Sequence, residues 1–203
     1  VVEYSNKFDR LSVISMADLE LSKAEMQKAL DSLPAEQRQA LEAAAQRVRV
    51  YHDKQQLEGW SYTEADGTML GQMITPLDRV GLYVPGGRAV YPSSVVMNVV
   101  PALVAGVPSF AVASPPQKDF GGLPHPTILA ACALLGVTEV YAAGGAQAVA
   151  MFAYGTEDVS PVYMVTGPGN IYVTAAKRLL KGRIGIDSEA GPTEIAVLAD
   201  DSA

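Results

Sequence analysis

An apolar segment, a glycine-containing turn or loop and an apolar helical segment follow one another repeatedly along most of this chain, and this order restricts the fold more than any other feature. Strands that alternate with helices are typical of βαβ units, which form a parallel sheet with helices on both faces. The strands are uninterrupted apolar runs, as expected where both faces of a sheet are covered. The sequence therefore predicts an α/β fold with strands at residues 79–84, 109–113, 139–142, 163–166 and 194–198.

A helical segment and a β-hairpin are predicted to precede this sheet. Asp18 is placed to cap a helix that runs through Leu30. A single long helix is predicted from residue 35 to about residue 57, because good helix formers continue there without Gly or Pro. Alternating apolar and polar residues on either side of an Asp-Gly pair then predict a hairpin within residues 60–75.

Three glycine turns are the predicted location of function, at residues 85–87, 144–147 and 167–170. Ligands of parallel sheets bind beyond the carboxyl ends of the strands, and backbone N–H groups at the start of a helix suit an anion such as a pyrophosphate. None of the turns matches the G-x-G-x-x-G fingerprint, and the sequence has no G-x-x-x-x-G-K-[ST] motif. A nucleotide site and turns that are glycine-rich for geometry alone are both open at this point.

One polar side chain stands beside each turn, and these are the candidate ligand-binding residues. Tyr83 ends a strand, while Gln147 and Asn170 each begin a helix directly after glycines. Each also has an ordinary structural role available: a core or rim tyrosine, a surface glutamine and a helix N-cap. Their recurrence at neighbouring strand ends favours a shared site.

The composition narrows the classes of partner and of chemistry. Lys and Arg number 15 against 22 Asp and Glu, and the net charge of −7 argues against nucleic acid and anionic membranes as partners. The single Cys132 and the lack of a long uninterrupted apolar stretch favour a cytoplasmic protein. His52 and His125 are the only histidines, with no second His or Cys near either, so no metal site is predicted within the chain.

At these positions the chain resembles the histidinol dehydrogenase family. The matching segments, in chain order, are residues 4–9, 79–87, 91–98, 144–148, 166–170, 176–178 and 190–194. The similarity runs in order over essentially the whole chain, which makes it far more specific than any one segment.

This resemblance implies an incomplete Rossmann-like sheet and an enzyme that oxidises L-histidinol to L-histidine in two NAD-dependent steps, through bound L-histidinal. That reaction is the last step of histidine biosynthesis, and the family's enzyme is a zinc-containing homodimer. Carried over on the family's motifs, the resemblance implies that Tyr83, Gln147 and Asn170 contact NAD. It also implies that Thr193, in the Gly-Pro-Thr-Glu segment, contacts the substrate.

The family's zinc ligands and its catalytic Glu–His pair follow that segment, and the chain reaches Ala203 before them. The resemblance therefore implies a fragment that contains no catalytic residue and no zinc ligand, and that forms no NADH alone.

The resemblance also implies a division of the chain. Residues 1–78 would belong to a domain completed by later sequence, residues 79–190 would form the NAD-binding domain, and residues 191–203 would cross back towards the first domain. Two other functions stay open: a related zinc and NAD dehydrogenase of another small alcohol, and a non-catalytic anion-binding or dimerisation module.

Overall fold

Parallel strands form the centre of the protein, which a computed structural model describes over residues 1–86 and 90–189. In chain order the strands are β1 (Trp60–Thr63), β2 (Met69–Gln72), β3 (Arg79–Tyr83), β4 (Ser109–Ser114), β5 (Val140–Ala142), β6 (Met164–Thr166) and β7 (Gly185–Ile186). Within the described residues the last five form one parallel sheet in the order β5-β4-β3-β6-β7. The strands predicted at 79–84, 109–113, 139–142 and 163–166 are confirmed, and the one predicted at 194–198 lies outside the described residues.

Helices surround this sheet. In chain order they are α1 (Val2–Phe8), α2 (Lys23–Asp31), α3 (Ala35–Asp53), α4 (Pro92–Val104), α5 (Pro126–Leu134), α6 (Gly145–Tyr154) and α7 (Ile171–Leu180), with short 3₁₀ turns at Ala17–Leu19 and Lys118–Phe120. No helix in this part of the chain combines the length and the apolar character that crossing a membrane requires.

Both faces of the sheet are buried beneath helices, as the apolar strands predicted. Val80 and Leu82 of β3 pack in one hydrophobic cluster with residues of α2, α3, α4 and α5. Ala111 and Ala113 of β4 pack in a second cluster with α6 and α7. Alternate side chains of a strand point to opposite faces, so β3, β4, β5 and β6 each contribute to both clusters. The predicted α/β fold class is confirmed.

The strand order reverses at β3, and this places the ligand-binding crevice of such a sheet. From β3 the chain moves outward through β4 to β5, and then returns through α6 to β6 on the other side of β3. Gly81 allows α6 to pack closely beneath β3, because a Cβ there would lie 2.6 Å from the Phe152 ring. In open parallel sheets the crevice outside such a reversal binds ligands.

Ser22, and not Asp18, is the N-cap of α2, the helix that follows the 3₁₀ turn at Ala17–Leu19. The Ser22 hydroxyl accepts the N–H of Glu25 at 3.2 Å, and the Glu25 carboxylate accepts the N–H of Ser22 at 2.9 Å. Asp18 instead accepts the N–H groups of Ile14 and Ser15, both at 2.9 Å. The prediction that Asp18 caps this helix is wrong, because a capping box begins the helix after Ser22.

The N-terminal segment packs directly on the sheet. Leu21, Met26 and Leu41 belong to the same hydrophobic cluster as Val80. The N–H of Leu21 also donates to the carbonyl of Val140 at 2.8 Å, at the β5 edge. The predicted domain boundaries at residues 78 and 190 remain predictions.

The predicted hairpin is present and lies on the surface. β1 and β2 pair antiparallel, and all their residues are exposed. The side chain of Asp66 accepts the N–H of Thr68 at 2.9 Å, which stabilises the turn between the strands.

Candidate functional site

A cleft of about 450 Å³ lies at the carboxyl ends of the central strands. Its volume falls within the range of small-molecule sites. The candidate residues Tyr83, Gln147 and Asn170 all line it. The remaining lining residues come from the end of α1, from the loops after the strands, and from the first turns of α6 and α7. They are Phe8, Asp9, Pro85, Gly86, Pro115, Gly144, Gly145, Ala146 and Tyr172.

Tyr83 holds the turn that leads into α6. The side chain ends β3 and is 2% exposed, and its hydroxyl oxygen accepts the N–H of Gly145 at 3.1 Å. A tyrosine hydroxyl can accept and donate at once, so its proton is left for a second partner. Burial raises the pKa of Tyr83, the Gly145 hydrogen bond opposes that rise, and the charge of Asp9 adds to it. The hydroxyl therefore keeps its proton at neutral pH, and this proton can be donated to a ligand.

Gln147 and Asp9 form a polar pair across the cleft. The Gln147 Nε2 donates to the Asp9 Oδ2 at 3.1 Å, although the two residues are 138 positions apart in sequence. Gln147 lies in the first turn of α6, and Asp9 caps the carboxyl end of α1. Gln147 is therefore a half-buried side chain with a specific partner, and its contact with a ligand stays a prediction.

Asn170 is the N-cap of α7, which is the ordinary structural role that the sequence allows for it. Its Oδ1 accepts the N–H groups of Tyr172 and Val173 at 3.0 Å and 3.1 Å. The oxygen is therefore committed to α7, and the Nδ2 group is the part of the side chain that can serve a ligand. The capping and ligand-binding roles are compatible because they use different atoms.

Helix α6 presents its amino end to the cleft in a different way. It begins after Gly144 with no side-chain cap, and Gly145, Ala146 and Gln147 of its first turn line the cleft. Gly145 has a positive φ of 63°. The N–H of Gly145 is taken by the Tyr83 hydroxyl and that of Gly144 by the Asp9 carboxylate. This leaves the N–H groups of Ala146 and Gln147 as the ones that, with the helix dipole, favour an anionic group.

Asp9 is a further candidate residue of the cleft, and the sequence alone did not single it out. Burial raises its pKa above the ordinary value of 3.8, against hydrogen bonds from Gly144 and Gln147 that lower it. The only signal available was that residues 4–9 match the family, because nothing in local spacing connects α1 with a turn so far along the chain.

A second cavity of about 820 Å³ lies beside α4, on the face of the sheet that carries Val80 and Leu82. Its polar part includes Thr166, whose hydroxyl donates to the Asn98 Oδ1 at 2.7 Å. None of the three candidate residues lines this cavity, so it is separate from the cleft at the strand ends.

The other predictions concern the substrate contact at Thr193, the first glycine turn, a metal site and His125, and two of these residues lie outside the described part of the chain. Thr193 lies outside the described residues, as does Gly87 of the first turn. Among residues 1–86 and 90–189, no group of three or more His, Cys, Asp or Glu could hold a metal ion. His125, for its part, caps α5: its Nδ1 accepts the N–H of Thr127 at 3.2 Å.

Known proteins are similar to this chain over its whole length. A family model described as histidinol dehydrogenase matches residues 1–203. The histidinol dehydrogenase of Dechloromonas aromatica is 68% identical over 202 residues, which cover 100% of this chain and 46% of that protein. That of Thermobifida fusca is 62% identical over 203 residues, with coverage of 100% and 46%.

A solved structure is similar as well. The crystal structure of histidinol dehydrogenase from Elizabethkingia anophelis superposes with a TM-score of 0.86 at 32% identity, over 95% of this chain and 43% of that one. The chain therefore spans about half the length of the relatives that it matches.

Proposed function

The chain belongs to the histidinol dehydrogenase family, and from this premise we propose that it forms the NAD-binding part of an enzyme that oxidises L-histidinol to L-histidine through bound L-histidinal. The observation that carries the proposal is the meeting of Tyr83, Gln147 and Asn170 in one cleft at the strand ends. These residues come from three separate turns, and a shared cleft is what a common ligand requires.

The chemistry of the cleft fits a dinucleotide. In the first turn of α6, the N–H groups of Ala146 and Gln147 are available to a pyrophosphate, whereas that of Gly145 donates to Tyr83. The Tyr83 hydroxyl and the Asn170 side chain use their oxygens to accept backbone N–H groups, so the Tyr83 hydroxyl proton and the Asn170 Nδ2 would be the donors that they offer to a ligand. Phe8 and Tyr172 line the cleft and are 61% and 69% exposed, and such aromatic faces suit stacking against a base. Within the described residues, donors and stacking surfaces thus occur together.

Bound NAD would supply the hydride acceptor for both oxidation steps. This chain's own contribution to the mechanism is to bind the cofactor and fix its orientation, which can account for a large share of the barrier reduction. The Tyr83 hydroxyl, held by Gly145, would donate to the cofactor. The first turn of α6 would face its phosphates, and the Asn170 Nδ2 would donate from the opposite turn.

The substrate, the second subunit and the zinc would involve residues outside the cleft. Thr193 would contact L-histidinol, and a second copy of the protein would complete a cytoplasmic homodimer. The family's zinc has no candidate ligand set among residues 1–86 and 90–189, so no step is assigned to it here.

Calorimetric titration with NAD and with inorganic phosphate tests the proposal. Saturable NAD binding that is weakened about tenfold or more in Gln147→Ala and in Asn170→Ala supports it. Gln39→Ala is the matched control, because Gln39 is exposed on α3. Phosphate binding as tight as NAD binding, with no effect of either variant, would instead favour a simple anion-binding module.

The reaction itself requires a second measurement. Protein expressed from its complete gene should form NADH from NAD and L-histidinol. NAD binding without any turnover of L-histidinol, and with turnover of another small alcohol, would favour the related dehydrogenase.

A further inference from the structure

One acidic side chain faces a cleft that has no basic residue among its described lining. Asp9 is that residue, and the other described lining residues are uncharged at neutral pH. A pyrophosphate bound to the amino end of α6 would place negative charge in the same cleft. If Asp9 contacts a ligand, the carboxylate should therefore accept hydrogen bonds from an uncharged part of that ligand rather than bind its phosphates.

Asp9 is held firmly enough to take such a role. Its backbone N–H donates to the carbonyl of Ser5 at 2.9 Å, which fixes it at the end of α1. Its carboxylate accepts hydrogen bonds from the Gln147 Nε2 and from the backbone of Gly144. An ionised carboxylate has about four acceptor positions, so two such bonds leave capacity for a ligand.

The vicinal hydroxyls of a ribose are donors that match this capacity. In dinucleotide-binding sheets, an acidic residue that accepts from the ribose 2′-hydroxyl favours NAD, whereas a 2′-phosphate needs a basic residue. That acid normally follows the glycine fingerprint, which this chain lacks. Here the carboxylate enters from the N-terminal helix instead, and it adjoins Phe8, a candidate stacking surface for the base in the same cleft.

We propose that Asp9 selects NAD over NADP, by accepting hydrogen bonds from the adenosine ribose and by repelling a 2′-phosphate. This inference rests on the proposed function, since it assigns one part of the same cofactor to one residue of the same cleft. Like charges brought together in a binding site repel each other, so the Asp9 carboxylate should weaken the binding of NADP relative to NAD.

Affinities for NAD and NADP, measured in the unsubstituted protein and in Asp9→Asn, test the proposal. The unsubstituted protein should bind NAD more tightly than NADP by about tenfold or more, and Asp9→Asn should reduce that ratio to about threefold or less. Asparagine keeps an acceptor for Gly144 and Gln147, so the cleft should retain its shape. Asp158→Asn is the matched control: it removes the same charge from an exposed residue just beyond the far end of α6, and should leave the ratio unchanged.

The outcomes separate the two levels of the argument. Failure of the unsubstituted protein to bind NAD overturns the proposed function, and this inference with it. If the protein binds NAD but Asp9→Asn leaves the ratio of the NAD and NADP affinities unchanged, only the role of Asp9 is overturned. The same holds if Asp9→Asn lowers both affinities equally, because Asp9 would then act only by holding Gln147.

A comparison of ligands avoids any dependence on how the variant folds. In the unsubstituted protein, adenosine 5′-monophosphate should bind more tightly than adenosine 2′,5′-bisphosphate, because only the latter places a phosphate at the position that Asp9 is proposed to face. Equal or tighter binding of the bisphosphate would overturn the proposal.

Discussion

The ammonium group of Lys177 lies 2.6 Å from the Oδ1 of Asp187, and the two side chains together hold the backbone of Gly167. The Asp187 Oδ2 accepts the N–H of Gly167 at 2.8 Å, while Lys177 donates to the Gly167 carbonyl. Lys177 is 3% exposed, whereas the Asp187 side chain is 33% exposed, so the ammonium group is buried and the carboxylate is partly in contact with water. The turn that carries Asn170 into the cleft is therefore fixed from beneath by residues that do not line the cleft.

Lys177→Met should destabilise the fold by about 2–4 kcal/mol, because it leaves the Asp187 carboxylate and the Gly167 carbonyl without their charged partner. The measurement is the free energy of unfolding from chemical denaturation. Lys181→Met is the matched control: Lys181 pairs with Glu189 at 3.0 Å but is 64% exposed, and its loss should cost less than about 1 kcal/mol. Similar losses in the two variants would contradict the role assigned to Lys177.

Gly167→Ala should be far more damaging than an alanine at another glycine of positive φ. Gly167 has a φ of 110°, and a Cβ there would overlap the Tyr83 carbonyl oxygen, so the turn would have to move away from β3. Gly136 has a φ of 72° with open space around a Cβ, so Gly136→Ala should cost only the conformational strain of about 1 kcal/mol. Equal unfolding free energies for the two variants would show that the close approach to Tyr83 is unimportant.

The meeting of the three turns could be predicted from sequence because it follows from topology. Parallel strands have their carboxyl ends at one edge of a sheet, so Tyr83 and the turns before Gln147 and Asn170 had to lie along that edge. Local signals sufficed for this: apolar runs for the strands, and glycines where the chain reverses. Whether these residues bind NAD stays a prediction, because the cleft's geometry fits a cofactor without testing one.

Asp9 and the Asp187 network could not be predicted in the same way. Asp9 reaches Gln147 because the end of α1 lies at the cleft, and a contact between such distant segments has no local signature in the sequence. Asp18 shows the related difficulty at short range, since both Asp18 and Ser22 suit an N-cap, and the capping box with Glu25 decides between them.

The stability contributions of Asp9 and Asp18 should depend on pH with opposite signs. Burial raises the pKa of Asp9 above 3.8, so its protonated form favours the folded state, and that contribution is lost as the pH rises through the folded-state pKa. Hydrogen bonds from Ile14 and Ser15 lower the pKa of Asp18, so its contribution is present at neutral pH and is lost as the pH falls through the folded-state pKa. Relative to the unsubstituted protein, Asp9→Asn should therefore gain stability on going from low to neutral pH, and Asp18→Asn should lose it.

The measurement is the free energy of unfolding of each variant at neutral pH and at a pH below 3.8. A difference from the unsubstituted protein that does not change with pH, or that has the same sign of change in both variants, would contradict the assignment.

Cys132 should be inert in the folded protein. The side chain is fully buried in α5, and burial raises the pKa of its thiol to about 12, so little reactive thiolate forms at mildly alkaline pH. A thiol reagent should label the protein only as fast as it unfolds, and should label one site per chain in denaturant, since the sequence has one cysteine. Immediate labelling of the native protein would show that α5 opens locally.

Substitutions at Asn170 should separate its capping role from its proposed role in binding. The aspartate side chain of the variant Asn170→Asp can accept the N–H groups of Tyr172 and Val173 as asparagine does, and its charge suits the amino end of α7. This variant should keep the unfolding free energy within about 0.5 kcal/mol, whereas Asn170→Ala should lose about 1 kcal/mol. Both should weaken NAD binding about tenfold or more, since both lack the Nδ2 donor and the aspartate also repels phosphate.

Ser22→Ala provides the control for a lost cap, because Ser22 caps α2 and does not line the cleft. It should lose about 1 kcal/mol of stability and leave NAD affinity unchanged. The NAD affinity and the unfolding free energy are compared in the unsubstituted protein, Asn170→Asp, Asn170→Ala and Ser22→Ala. If the affinity falls only where the stability falls, and Asn170→Asp binds NAD as tightly as the unsubstituted protein, Asn170 serves the cofactor only by capping α7. Weak binding by a fully stable Asn170→Asp protein would instead assign the Nδ2 group to the ligand.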